Sequence, residues 1–299
     1  MAPKLEPIRI FVGTTDDQML STKVLEYSIR QTTSRPVEVT PLHLSGIHYP
    51  MPKDPKNKPR TPFSFQRFLI PQLCGYQGKA IYVDSDMLVF DDIAQVFDLD
   101  ISAHDIFTVK TGTTFTRRKQ FSVMLINCER VKWNIHEIVA KLDRGEIDYE
   151  KLVYEMVLAP RIEDRIPEGW NHLEKHVPGK TKLLHFTDMP TQPWVSTQNR
   201  LDHLWFEALF QAVAEGFIDR AEILDHVEKS WVRPSLVYQL DHRILEAREL
   251  PNEALALDRG FLAPYQRMSR AAPAGQPAHG IYGRGLRWLK NRVEALSPR

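Results

Sequence analysis

The chain has 299 residues, of which 42% are hydrophobic and 26% charged, with a formal net charge of +1. Such a composition belongs to a soluble globular protein able to bury a sizeable core, and the near-zero charge excludes the broad positive field of a nucleic-acid binder. Two distant cysteines, Cys74 and Cys128, exclude a disulfide framework and predict a cytoplasmic setting; residues 1–7 hold no apolar signal segment and no run of about 18 apolar residues offers a membrane span.

Ile8-Arg9-Ile10-Phe11-Val12-Gly13 predicts a buried first strand, ended by Gly13-Thr14-Thr15-Asp16-Asp17. Leu20, Val24, Leu25, Tyr27 and Ile29 then recur at helical spacing over about 18–31, and 37–42 predicts a second strand. This βαβ opening points to a largely parallel sheet. Residues 50–62 carry five prolines and four Lys/Arg and predict a loop. A helix is expected from Phe63 to about Leu73, with Phe65, Phe68, Leu69 and Leu73 inward. The Asp-x-Asp strand follows, an apolar run from Lys79 that ends in Asp84 and Asp86, and Asp91–Phe97 predicts a short capped helix. Further strands are expected at 107–110, 122–127 and 181–186, and helices at 131–144, 148–158, 201–214 and 219–230. From about 264 to 285 the composition is that of a Pro/Gly-rich linker, and Leu286, Leu289, Val293 and Leu296 line one face of a final basic helix. The expected organisation is one α/β domain over 1–250, with 251–299 as linker and C-terminal helical extension. The basic amphipathic face suits peripheral contact with an anionic membrane surface, or docking on the domain or a second subunit.

The chemistry concentrates at Ile81-Tyr82-Val83-Asp84-Ser85-Asp86-Met87. Side chains at i and i+2 of an extended chain share a face, so Asp84 and Asp86 converge at the strand end. Two carboxylates placed so suit one hard divalent cation, Mn²⁺ or Mg²⁺, with coordination positions left for water or phosphate. A pair of solvated aspartates at a turn is the plain alternative. In an open parallel sheet a nucleotide sits beyond the strand ends, at helix N-termini, which makes Gly13, Thr14, Thr15 and Asp17 candidate donor-binding residues. Helix capping by Asp16 or Asp17 competes with that role. Arg67, on the segment before the Asp-x-Asp strand, is placed to meet a phosphate or to orient Asp84 or Asp86. His185 ends an apolar strand and enters the polar loop Thr187-Asp188-Met189-Pro190-Thr191-Gln192-Pro193-Trp194. Its imidazole suits a third ligand for the same cation, and Gln192 offers an uncharged donor for phosphate or sugar.

Together, the βαβ opening, the hydrophobic Asp-x-Asp strand and the late His185-Phe186-Thr187…Gln192-Pro193-Trp194 resemble the family-8 glycosyltransferases, a group that includes glycogenin and bacterial lipopolysaccharide galactosyl- and glucosyltransferases. The resemblance covers roughly residues 8–200. It implies a GT-A-type, Rossmann-like fold with a mostly parallel central sheet flanked by helices. It also implies a nucleoside-diphosphate sugar donor, usually a UDP-sugar, a hydroxyl acceptor, Mn²⁺ held by Asp84, Asp86 and His185, and transfer with retention. Ser85 would then lie by the ribose through its backbone, with Thr14, Thr15 and Asp17 by the base. The chain departs from the family pattern in several places. Gln18 and Met19 replace a base-stacking aromatic residue, Phe121-Ser122-Val123-Met124 replaces an Asn-x-Gly, and Asp148-Tyr149-Glu150 does not match the Asp-Gln pair. Gln192 stands where a diphosphate-binding lysine is usual. The sequence therefore names no catalytic residue, and donor binding leans on the cation and Arg67. Two other readings stand beside transfer: a non-catalytic nucleotide-sugar or glycan-binding protein of the same fold, and a metal-dependent nucleotidyltransferase.

Overall fold

A computed structural model of the chain describes residues 6–61, 63–110 and 121–271, with side chains to residue 267. The apolar, β-branched runs form strands β1 (Ile8–Gly13), β2 (Val37–Pro41), β3 (Lys79–Asp84), β4 (Met87–Val89), β5 (Ile106–Val109) and β6 (Val123–Asn127). Strands β7 (Ile162–Ile166) and β8 (His172–Leu173) have no counterpart among the predicted elements, and β9 is Leu183–His185. The helices of the first half are α1 (Met19–Thr32), α2 (Ile70–Leu73), α3 (Ala94–Phe97), α4 (Ile135–Asp143) and α5 (Tyr149–Tyr154). Those of the second are α6 (Asp202–Ala214), α7 (Arg220–Glu228), α8 (Ser235–Asp241), α9 (Asn252–Ala256) and α10 (Pro264–Ala271). Segment 264–285, read as linker, thus opens as a helix with Pro at its first position, where its missing N–H costs nothing. The rest of that segment and the helix expected at 286–296 lie outside the described residues.

The main sheet runs β2-β1-β3-β6-β5-β7. Strand β6 is antiparallel to β3 and β5, and the other pairings are parallel. This is the mostly parallel, helix-flanked α/β sheet expected. A second sheet, β4-β9-β8, pairs β4 antiparallel with β9 and β9 parallel with β8. Alternation along β3 sends Ala80 and Tyr82 into one core layer, with Phe68, Ile138 and Leu152, and Ile81 and Val83 into the other, with Leu25 and Ile29 of α1. Both faces are covered, which is why β3 reads as a continuous apolar run. Strand β7, by contrast, is charged and largely half-exposed on the sheet edge, with only β5 beside it.

The helix predicted over 63–73 is two pieces, a 3₁₀ turn at Gln66–Leu69 and then α2. Pro71 accounts for the break: in a continuous helix its ring would strike the carbonyl of Arg67, whereas in the first turn of α2 it is accommodated. The chain divides into two compact units, Met1–His185 and Phe186–Arg299. The expected domain 1–250 thus contains the first unit and the helices of the second through Asp241. Among the described residues no helix is long and apolar enough to cross a membrane.

Candidate metal centre

Asp84 closes β3 and Asp86 immediately precedes β4, with a bend at Ser85–Asp86 between them. The two carboxylates therefore converge because the chain leaves one sheet and enters the other, not because a single extended strand carries both. Pairing of β4 with β9 sets Met87 opposite His185, which brings the imidazole to the residue before Met87. His185 Nε2 lies 3.0 Å from Asp86 Oδ1. One ligand atom from each of Asp84, Asp86 and His185 lies within 4.8 Å of the others. The two carboxylate side chains are 15% and 17% exposed and the imidazole 4%, so the carboxylates keep limited access to solvent while the imidazole is buried. Two anionic oxygens and one imidazole nitrogen at this spacing could hold a divalent metal ion.

Behind Asp84 stands a polar arrangement the sequence does not announce. The Tyr82 hydroxyl donates to Asp84 Oδ1 at 2.6 Å and accepts from Arg67 Nη2 at 3.2 Å. Arg67 Nη1 donates to the Phe121 carbonyl at 3.0 Å, and its guanidinium lies 4.6 Å over the Tyr82 ring. Arg67 is buried, so of the two roles weighed for it the geometry suits orientation of Asp84. Burial pushes the Asp84 carboxyl above its ordinary value, with the Arg67 and His185 charges pulling the other way. Burial likewise drives the Tyr82 phenol well up, which keeps it a neutral donor.

The turn after β1 lies alongside, because Gly13 pairs with Asp84 in register. A Cβ on Gly13 would sit 2.3 Å from the Tyr82 hydroxyl, so only glycine leaves that phenol its place. Gly13→Ala is expected to destabilise the protein by about 1–3 kcal/mol through overpacking against a side chain that cannot retreat. Chemical denaturation of Gly13→Ala, with and without Tyr82→Phe, checks this: removing the hydroxyl is expected to recover part of the loss.

The remaining candidates are placed as follows. Thr14 is fully buried, its hydroxyl 2.8 Å from that of Thr22 and its peptide held on both sides by Gln66. Thr15 donates to Asp17 Oδ1 at 2.5 Å, and both are partly open to solvent. The Ser85 hydroxyl donates to Gln18 Oε1 at 2.8 Å, so the residue standing in place of an aromatic one braces the bend. In the second unit Gln192 is buried and its amide donates to the Phe186 carbonyl at 2.8 Å. Sequence reasoning missed Tyr82, although its i, i+2 spacing to Asp84 on β3 was a usable signal. It also missed Asn171, whose Oδ1 lies 2.9 Å from His185 Nδ1.

Residues 20–146 match the model of glycosyl transferase family 8. A relative, Protein CDI of Arabidopsis thaliana, is 33% identical over 146 residues, 42% of this chain and 55% of that protein; the chain thus spans about half the length of the curated relative it matches. Among solved structures, the glycosyltransferase GlyE of Streptococcus pneumoniae aligns over 76% of this chain and 64% of its own at 17% identity, with a TM-score of 0.46. A galactosyltransferase, LgtC, aligns over 67% of this chain and 95% of its own at 11% identity, also at 0.46. Likenesses this distant say nothing about substrates.

Proposed function

We propose that the chain, whose residues 20–146 match the model of glycosyl transferase family 8, transfers a sugar from a nucleoside-diphosphate sugar, a UDP-sugar by preference, to a hydroxyl acceptor, with a divalent cation held by Asp84, Asp86 and His185. The observation that carries this reading is the convergence of those three ligand atoms, drawn from two different sheets, within 4.8 Å. A divalent cation bound there supplies positive charge for a diphosphate leaving group. Mn²⁺ is the ion proposed, on the imidazole-plus-carboxylate ligand mixture. Retention at the anomeric carbon follows from the family resemblance alone.

The chain's own residues do the following under this reading. Tyr82 fixes one oxygen of Asp84 and so directs the other lone pairs outward. Gln18 and Ser85 hold the bend that separates the two carboxylates. Thr15 and Asp17, half-open beside the strand ends, offer hydroxyl and carboxylate acceptors to a base or ribose. With Arg67 engaged behind Asp84 and Gln192 bonded within its own loop, the diphosphate is left chiefly to the cation. A cytoplasmic location is proposed on cysteine usage.

The test is a donor screen. The purified chain is given UDP-glucose, UDP-galactose, UDP-N-acetylglucosamine and GDP-mannose with Mn²⁺, and nucleoside diphosphate release is followed. Release with one donor, lost on EDTA treatment and restored by Mn²⁺, is the expected result. Donor binding without release would favour the non-catalytic reading, and no binding of any donor would overturn both.

A further inference from the structure

The donor set leaves one question of protonation open, and a neighbour of the site answers it. His185 Nδ1 lies 2.9 Å from Asn171 Oδ1, while Asn171 Nδ2 donates to Ser122 Oγ at 3.2 Å. A carboxamide oxygen only accepts, so the hydrogen of that contact sits on Nδ1. A neutral imidazole carries one such hydrogen, and Nε2 is then left with its lone pair directed outward. Opposite Nε2, at 3.0 Å, is Asp86 Oδ1, which is also an acceptor when ionised. Two lone pairs at this distance are held together only by positive charge between them, a proton or a metal ion. We infer that Asn171 is a positioning residue for the metal centre: its carbonyl fixes the His185 tautomer and ring so that Nε2, and not Nδ1, is presented to a divalent cation. This rests on the cation reading above and assigns to it a residue outside the ligand set.

The surroundings hold Asn171 to that task. It ends the 3₁₀ turn Glu168–Asn171, whose Trp170 is buried in the core layer beside α1. The turn is pressed against the strand leading to His185: Lys182 N–H donates to the Gly169 carbonyl at 2.8 Å, and a Cβ on Gly169 would meet the Lys180 carbonyl at 2.4 Å. Strand β8 then pairs His172 with Leu184 in parallel register, which sets Asn171 level with Leu183, two residues before His185 and on the same face of β9. Ser122, the acceptor for the Asn171 amide, also takes the Asp84 N–H on its carbonyl at 3.2 Å. Ser122 therefore links the supports of two ligands, Asp84 and His185.

The experiment titrates the metal-free, full-length protein with MnCl₂ and reads free Mn²⁺ by its solution EPR signal, with thermal midpoints of the metal-free forms as the measure of folding. Asn171→Ala is expected to bind Mn²⁺ about 10–100-fold more weakly, the usual effect of losing a partner that orients a metal-ligating histidine. Asn171→Asp keeps the size and an acceptor toward Nδ1, and is expected to match wild-type affinity or exceed it. A residue that merely filled space would give no such contrast. Wild-type affinity in Asn171→Ala, or a loss in Asn171→Asp as large as in Asn171→Ala, overturns the inference. Should the alanine variant fail to fold, the aspartate variant decides alone: undiminished affinity supports the tautomer role, and a tenfold or greater loss overturns it. A wild-type protein that takes up no Mn²⁺ removes the cation reading and this inference with it, whereas wild-type uptake that Asn171→Ala leaves unchanged removes only the inference.

Discussion

Asp84→Asn and Asp86→Asn are each expected to lower Mn²⁺-dependent nucleoside diphosphate release at least about a thousandfold, equivalent to about 4 kcal/mol. Each substitution removes one of the two anionic donors from the three-atom cluster and leaves the backbone untouched. Asn at 84 still offers an oxygen to the Tyr82 hydroxyl, so the loss is one of charge. Stability should move differently. Burial raises the Asp84 pKa in the folded, metal-free protein. The folded state therefore binds more protons than the unfolded state between the usual carboxylate value and the raised one, and stability falls as pH rises through that window. The charge on Asp84 is thus a cost to the metal-free protein at neutral pH. Metal-free Asp84→Asn is expected to melt at or above the wild-type midpoint at pH 7.5, and to gain nothing from Mn²⁺. Wild type is expected to gain about 2.7 kcal/mol at Mn²⁺ a hundredfold above its Kd. Differential scanning calorimetry with EDTA and then with MnCl₂ checks both arms. A destabilised Asp84→Asn protein that still responds to Mn²⁺ would contradict the assignment.

The second large effect is expected within the second compact unit. Arg233, in the second unit, is 1% exposed. Its guanidinium donates to the Pro193 carbonyl at 3.1 Å and to Ser235 and Gln239, and lies 5.3 Å over the Phe206 ring. Ser235 in turn gives both its N–H and its hydroxyl to Asp258. Burial pulls the Arg233 pKa down to about 10, while Asp258 and Asp202 work to keep it charged. Arg233→Ala would leave those acceptors without a donor and two carboxylates without a compensating charge. Removing one partner from such a buried network costs about 3–5 kcal/mol, a drop in thermal midpoint on the order of ten degrees. Calorimetry of the metal-free variant measures it. A midpoint unchanged from wild type would show that the second unit does not depend on this cation.

The strands that carry the centre were legible because they are buried on both faces. Lys79–Asp84 and Ile8–Gly13 read as uninterrupted β-branched runs, and the carboxylates of Asp84 and Asp86 stand out at the end of one. Residues 183–185 were legible for the same reason, and the pairing of His185 with the two aspartates was read from residue chemistry. What the sequence could not show is how the three meet. The convergence depends on a change of sheet at Ser85–Asp86 and on the β4–β9 register, both long-range properties. Asn171 had no local signal: it sits in a charged stretch, and only the pairing of His172 with Leu184 brings it to His185. Strand β7 was hidden because an edge strand with Glu163, Asp164 and Arg165 lacks the apolar pattern that marks the others. The break in the 63–73 helix was in principle readable from Pro71, whose ring forbids the helix interior.

Crystals grown or soaked with MnCl₂ and recorded at a wavelength where manganese scatters anomalously test the central claim most directly. The account predicts one strong anomalous peak between Asp84, Asp86 and His185, with His185 bound through Nε2 at roughly 2.0–2.3 Å, the ordinary range for such bonds. A peak bound elsewhere, or through Nδ1, or no peak at saturating Mn²⁺, would contradict it.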